Sequence, residues 1–204
     1  MAFTYFFRDM QTLEMIRDHV VPVLRTRRYI HIWDAGCAMG PEPYSLAIIL
    51  KDNMGPMIFR NVKIHATDID NSNLFADIIR NGIYPAEELK RIPQEIFQKY
   101  FEPTESPGYF RVIEDIRKRV FYQKHDLLSL QPVRTDLLFI LCKNVLLHFK
   151  HEERVQIITM FYNALEDSGF FAMEQTQKIP PELDSLFEPV VSNAQLFRKV
   201  KEKE

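Results

Sequence analysis

Apolar residues at Leu13, Ile16, Val20 and Val23 recur at helical spacing and predict an amphipathic helix over residues 9–24, with Asp9 as its N-cap. Residues 29–34 (Tyr-Ile-His-Ile-Trp-Asp) predict a strand that stops at Gly36. Pro41 suits the first position of a helix running to about Lys51, with Tyr44, Ala47 and Ile48 on one face. Residues 62–67 predict a second strand, ending in Asp68-Ile69-Asp70. A helix follows from Ser72 to about Arg80, stopped by Asn81-Gly82.

The rhythm changes between Ile83 and Lys124. Pro93 to Tyr100 predicts a short helix. Tyr109–Ile113 and Val120–Lys124 alternate apolar and polar residues as the strands of a hairpin do, so residues 83–124 read as a small antiparallel β insertion. Strands and helices then resume. Residues 136–142 form a near-continuous apolar run, as a parallel strand covered on both faces requires. Residues 152–166 predict a helix with Val155, Ile158, Tyr162 and Leu165 on one face. Gly169–Met173 starts another strand and Gln195–Val200 is a candidate for the last. Alternating strands and helices imply an α/β fold with a doubly wound, mostly parallel sheet. Residues 1–204 read as a single domain with the insertion inside it.

Composition narrows this reading. The chain of 204 residues carries a formal net charge of −2, which argues against nucleic acid or an anionic membrane as its main partner. Its two cysteines, Cys37 and Cys142, form no CxxC pair, so zinc-ribbon and thioredoxin readings fail and no metal is expected. The first nine residues lack a basic-then-apolar signal pattern, and the longest apolar run is too short to span a bilayer. A soluble cytoplasmic protein with reduced thiols is expected.

Doubly wound sheets bind ligands beyond the carboxyl ends of their strands. After the first strand comes Asp34-Ala35-Gly36-Cys37-Ala38-Met39-Gly40-Pro41-Glu42-Pro43-Tyr44-Ser45. This is neither GxGxxG nor a phosphate loop, and Glu42 in the first helical turn disfavours a pyrophosphate. An acid there suits a ligand with a cationic amino group. The loop reads either as a nucleoside-type ligand site or as a tight structural turn. After the second strand, Asp68 is placed to accept ribose hydroxyls, while Asp70 better suits capping the next helix. The leading Phe3-Thr4-Tyr5-Phe6-Phe7-Arg8-Asp9 reads alone as a hydrophobic staple. Cys142-Lys143-Asn144-Val145-Leu146-Leu147-His148-Phe149 puts Lys143, Asn144 and His148 at another strand's carboxyl end.

Taken together and in this order, these segments and Asn81-Gly82-Ile83-Tyr84 resemble the CheR family of chemotaxis receptor methyltransferases, from about residue 2 to about residue 177. The inserted segment matches the family's β-subdomain in position and size. The resemblance implies a Rossmann-like, S-adenosylmethionine-dependent methyltransferase fold. It implies methyl transfer to glutamate side chains on the cytoplasmic helices of chemoreceptors, with S-adenosylhomocysteine as product and possible docking of a receptor tail on the β-subdomain. By motif position, Thr4 and Arg8 would contact the ligand from the leading segment, beside Gly36. Glu42 would bind the methionine amino group and Asp68 the ribose. Asp126 and Leu127 would flank the adenine, and Lys143 and Asn144 would close the site. Arg8 and His148 would orient the acceptor carboxylate.

The chain departs from the family's pattern at several positions. His148 stands where the family usually has Tyr, Lys143 where it has Arg, Pro41 where Glu is common and Met39 where Thr is common. Gln177 falls near the family's usual Ser-Glu. The chain also begins almost at the leading motif, so a catalytic domain without the family's N-terminal helical domain is expected. These departures keep two alternatives in view: a different acceptor, or a non-catalytic module that binds S-adenosylmethionine or its product.

Overall fold

The computed structural model describes residues 4–201 of the chain. Among the described residues, ten strands form two sheets: β1 (Ile30–Ala35), β2 (Val62–Asp68), β3 (Ile83–Pro85), β4 (Phe101–Pro103), β5 (Tyr109–Val112), β6 (Val120–Lys124), β7 (Leu137–Cys142), β8 (Leu165–Met173), β9 (Phe187–Pro189) and β10 (Leu196–Lys199). The seven-stranded sheet runs β6-β2-β1-β7-β8-β10-β9. Its pairs from β6 to β8 are parallel, and β10 is antiparallel to both β8 and β9. The chain winds outward from β1 through β2 to β6, then crosses back to β7 on the other side of β1. That reversal puts the topological switch point between β1 and β7.

Side-chain alternation sorts the sheet into two cores. Ile30 and Ile32 of β1 with Phe139 and Leu141 of β7 pack under the helix Pro41–Met54 and the leading helical segment. Trp33 and Ala35 with Ile140 and Cys142 pack under the helix His151–Ala164 through Ile157, Ile158 and Phe161. Every residue of β7 is buried, as its apolar run requires. The helix Pro41–Met54 is buried well beyond the expected Tyr44–Ala47–Ile48 face, because the small sheet and the leading segment cover its other sides. The leading helix forms as expected, with the Asp9 carboxylate accepting from the Thr12 amide at 3.3 Å. Its ladder widens to π spacing over Ile16–Val20, just before Pro22, which has no N–H to give.

The expected hairpin between 109–113 and 120–124 does not form. β5 pairs antiparallel with β3 and β4, giving a three-stranded sheet ordered β3-β5-β4. The helical turn Glu114–Arg117 buries Ile116 and redirects the chain, and β6 pairs in parallel with β2 as an edge of the main sheet. The antiparallel insertion therefore ends near residue 112. An edge strand buried on one face alternates as a hairpin strand does, so the pattern of residues 120–124 was ambiguous.

On the face of Trp33, His31 and His65 stack with Nδ1 and Nε2 3.1 Å apart. Burial, then the neighbouring His31, push the His65 imidazole down to about 4 from an ordinary 6.5. Between those values the unfolded chain binds a proton that the folded chain refuses, so stability falls as pH drops from 6.5 towards 4. Urea unfolding at pH 7 and pH 5 should show this loss, and His65→Gln should reduce it. An unchanged difference would refute the assignment.

Candidate active site

The loop after β1 is pinned at both ends. The amides of Gly36 and Cys37 donate to the Thr67 carbonyl at 2.7 and 2.9 Å. Gly36 has φ +102°, and a Cβ there would lie 2.1 Å from Val145 Cγ2, so no side chain fits between the β1 and β7 loops. At the far end the Tyr84 hydroxyl donates to the Met39 carbonyl at 2.8 Å.

The two acids after β2 divide their work. Asp70 caps the helix Phe75–Asn81, accepting from the Phe75 amide at 3.1 Å, the Ser72 hydroxyl at 2.7 Å and the Tyr122 hydroxyl at 3.1 Å. Asp68 accepts the Ala38 amide on one oxygen and the Asp70 amide on the other, both at 3.0 Å. It thereby holds the glycine loop while lining the cleft.

That cleft has two adjoining compartments. A polar one of about 220 Å³ is lined by Thr4, Arg8, Glu42, Lys143, Asn144 and His148. A more apolar one of about 160 Å³ is lined by Leu127, Leu128 and Phe149, with His125 and Asp126 at its rim. Gly36, Asp68, Ile69 and Val145 border both, so Asp68 stands at the joint. Each site residue named from the sequence lines one compartment or the other. Phe3, the first residue of the leading motif, lies outside the described residues.

The floor of the polar compartment is a sealed ionic network. The Lys143 side chain is 1% exposed, with Nζ 3.3 Å from Glu42 and 3.7 Å from Asp9. It also donates to the Arg8 carbonyl at 3.2 Å, so its compact ammonium serves partners in three directions. The Arg8 guanidinium donates to Asn144 Oδ1 at 3.0 Å, tying the leading segment to the β7 loop. Asn144 has φ +59°, and its amide donates to Glu174 Oε2 at 3.2 Å.

Three acids here were not named as site residues from the sequence. Asp9 was read solely as a cap, yet it also pairs with Lys143. Glu174 directly follows β8 and is buried, which pushes its carboxyl above the usual range. The strand-end rule points to that position, but the sequence reading looked instead at Gln177. Gln177 lies farther along, bonded to Arg154. Asp34 is fully buried near the end of β1, and neither of its oxygens has a hydrogen-bond partner among the described residues. Burial first, and then the charge of Glu42, hold its carboxyl well above the usual carboxylate range.

Residues 2–196 match the family described as CheR methyltransferase, SAM binding domain. The chain is 30% identical over 184 residues to a chemotaxis protein methyltransferase of Borreliella burgdorferi, covering 86% of this chain and 64% of that protein. It is 32% identical over 171 residues to chemotaxis protein methyltransferase 2 of Pseudomonas aeruginosa, covering 82% and 60%. The Escherichia coli chemotaxis protein methyltransferase is also 32% identical over 171 residues, covering 81% and 57%. The chain thus spans less than two thirds of each of these three relatives.

Proposed function

For a chain that belongs to the CheR methyltransferase family through its S-adenosylmethionine-binding domain, we propose the transfer of a methyl group to glutamate side chains of chemoreceptors, giving γ-glutamyl methyl esters. The observation that carries this reading is the paired cleft with Asp68 at its joint. A flat base fits the apolar compartment, a diol fits a carboxylate at the junction, and a zwitterionic amino acid fits the charged compartment.

The residues fit S-adenosylmethionine part by part. Glu42 would take the ammonium, and Asp68 the ribose hydroxyls. Asp126 would accept from the adenine amino group on the oxygen not committed to the Leu128 amide, with Leu127 against the ring. Thr4, Gly36 and Asn144 would shape the path between them, and Lys143 would fix Glu42 from below. When bound, the cofactor supplies an electrophilic methyl on a sulfonium. A glutamate carboxylate, already ionised at neutral pH, needs no general base to attack it. Attack brings opposite charges together, so the protein's work is positioning and exclusion of water. Arg8, held by Asn144, orients the acceptor carboxylate, with His148 at the mouth as a second donor.

The acceptor would arrive on the cytoplasmic helices of a receptor. No helix among the described residues is long and apolar enough to cross a membrane. The small sheet leaves β3 and β4 as outer strands, which supports docking of an extended receptor tail by strand addition. Lys51–Asp115 and Lys99–Asp52 ion pairs join the segment around that sheet to the helix after the glycine loop.

Incubation with labelled S-adenosylmethionine and receptor tests the proposal: base-labile label on receptor glutamates is expected. Base-stable label would mean a different acceptor, and cofactor binding with no transfer would mean a binding module. Arg8→Ala should slow transfer on the order of 10²-fold while changing product affinity far less. A loss confined to affinity would reassign Arg8 to the cofactor.

A further inference from the structure

We propose that the end of the main sheet opposite the cleft is a docking face for an anionic lipid surface, built from three basic connections and two protruding apolar side chains. It stands independently of what the cleft binds.

Three segments enter neighbouring strands at their amino ends: Lys118-Arg119 before β6, Arg60-Asn61 before β2 and Arg25-Thr26-Arg27-Arg28-Tyr29 before β1. Parallel pairing of β6, β2 and β1 lays them side by side. Hydrogen bonds hold them there. The Ile64 amide donates to the Arg119 carbonyl at 2.7 Å, the Arg119 guanidinium donates to the Arg60 carbonyl, and the Ile30 amide donates to the Asn61 carbonyl at 3.4 Å. Cations far apart in sequence thus share one edge, which the whole-chain net charge of −2 conceals.

Much of this charge is uncommitted. Arg25, Arg28 and Arg60 are exposed and make no ion pair among the described residues. Arg27 pairs with Glu166 at 3.3 Å and Lys118 with Glu114 at 2.9 Å, both in solvent, where such pairs hold weakly. The nearby Asp115 is taken by Lys51, and Asp167, at the start of β8, by Lys201.

Tyr29 and Met57, 67% and 71% exposed, are the two most exposed large apolar residues described. Met57 lies in the helical turn Pro56–Phe59, which is anchored by the buried Phe59. Met57 and Arg60 are three residues apart on its outer side. Tyr29 stands beside Arg28, whose guanidinium lies 5.4 Å from its ring.

This mixture selects the occupant. Guanidinium groups pair with lipid phosphates, while tyrosine and methionine enter the boundary between headgroups and acyl chains. A nucleic-acid backbone offers a protruding methionine nothing apolar, and a folded acidic protein would need recesses for both tips. Strands β1 and β2 have six and seven residues, so this edge stands about 20 Å from the Asp68 end. With the edge on lipid, the cleft faces away from the bilayer and stays open to its acceptor.

The test is co-sedimentation of the full chain with vesicles of phosphatidylcholine alone, or with about one third phosphatidylglycerol. Binding is expected only to the anionic vesicles, and should be lost in about 0.5 M salt. The triple variant Arg25→Gln/Arg28→Gln/Arg60→Gln should bind at least about 30-fold more weakly, and Arg25→Gln or Arg28→Gln alone about 5-fold. Tyr29→Ser/Met57→Ser should weaken binding while keeping its salt dependence. A thermal melt matching wild type shows that each variant is folded. Failure to bind anionic vesicles overturns the inference, as does equal binding to phosphatidylcholine or unchanged binding in the folded triple variant. Tighter binding to polyglutamate or duplex DNA than to the vesicles, lost in the triple variant, overturns the lipid assignment in favour of an acidic protein or nucleic acid.

Discussion

Asp68→Ala should reduce S-adenosylhomocysteine affinity by at least about 30-fold, equivalent to about 2 kcal/mol of lost ribose hydrogen bonding. The expected loss is large because this carboxylate does two jobs. It faces both compartments at their joint. It also accepts the Ala38 and Asp70 amides at 3.0 Å each, so alanine leaves two backbone donors without partners in a partly buried turn. The glycine loop should loosen as well as lose its ligand contact. Asp68→Asn keeps one acceptor oxygen and should fall between wild type and alanine. Calorimetry gives the affinity, and a thermal melt without ligand isolates the loop contribution. Unchanged affinity in Asp68→Ala would remove the ribose assignment.

The sequence showed most of what positions this site. Strand and helix periods placed β1, β2, β7 and the helices after them to within a few residues, because buried parallel strands and amphipathic helices leave unlike patterns. The strand-end rule then pointed to Asp68, Lys143 and Asn144 before any geometry was known. The family resemblance added Thr4, Arg8, Asp126 and Leu127, whose roles no local pattern carries.

What stayed hidden depends on pairing over long sequence distance. Val120–Lys124 alternates, but alternation cannot say whether the partner is a hairpin neighbour or β2, more than fifty residues earlier. Asp34 looked like the polar end of an apolar strand. Its charged neighbours Glu42 and Lys143 are brought to it by packing over long sequence distance, which no spacing shows. Asp70 and Asp68 are both good cap residues by type. Only the amides of Phe75 and Ala38 separate them, one bonded to each. Glu174 was missed because the family's usual Ser-Glu was matched near Gln177, although Glu174 directly follows the strand expected over Gly169–Met173.

Lys143→Met should cost about 3–5 kcal/mol of stability at neutral pH, the range for leaving a buried charge without its partner. Methionine fills a similar volume, so the loss reports charge more than packing. Glu42 and Asp9 would both lose their counter-ion, and the Arg8 carbonyl would lose its donor. The pH dependence distinguishes charge from tether. Without the ammonium, the folded variant loses the charge that lowers the buried Asp34 carboxyl, which burial already holds above the usual carboxylate range. It therefore gains protons, and stability relative to wild type, as pH falls towards the carboxylate range. The difference in unfolding free energy between wild type and Lys143→Met should be smaller at pH 5 than at pH 8, as measured by urea denaturation. A gap that stays constant with pH would instead assign the loss to the missing hydrogen bond at Arg8. The lysine would then act mainly as the clamp that holds the leading segment over the cleft.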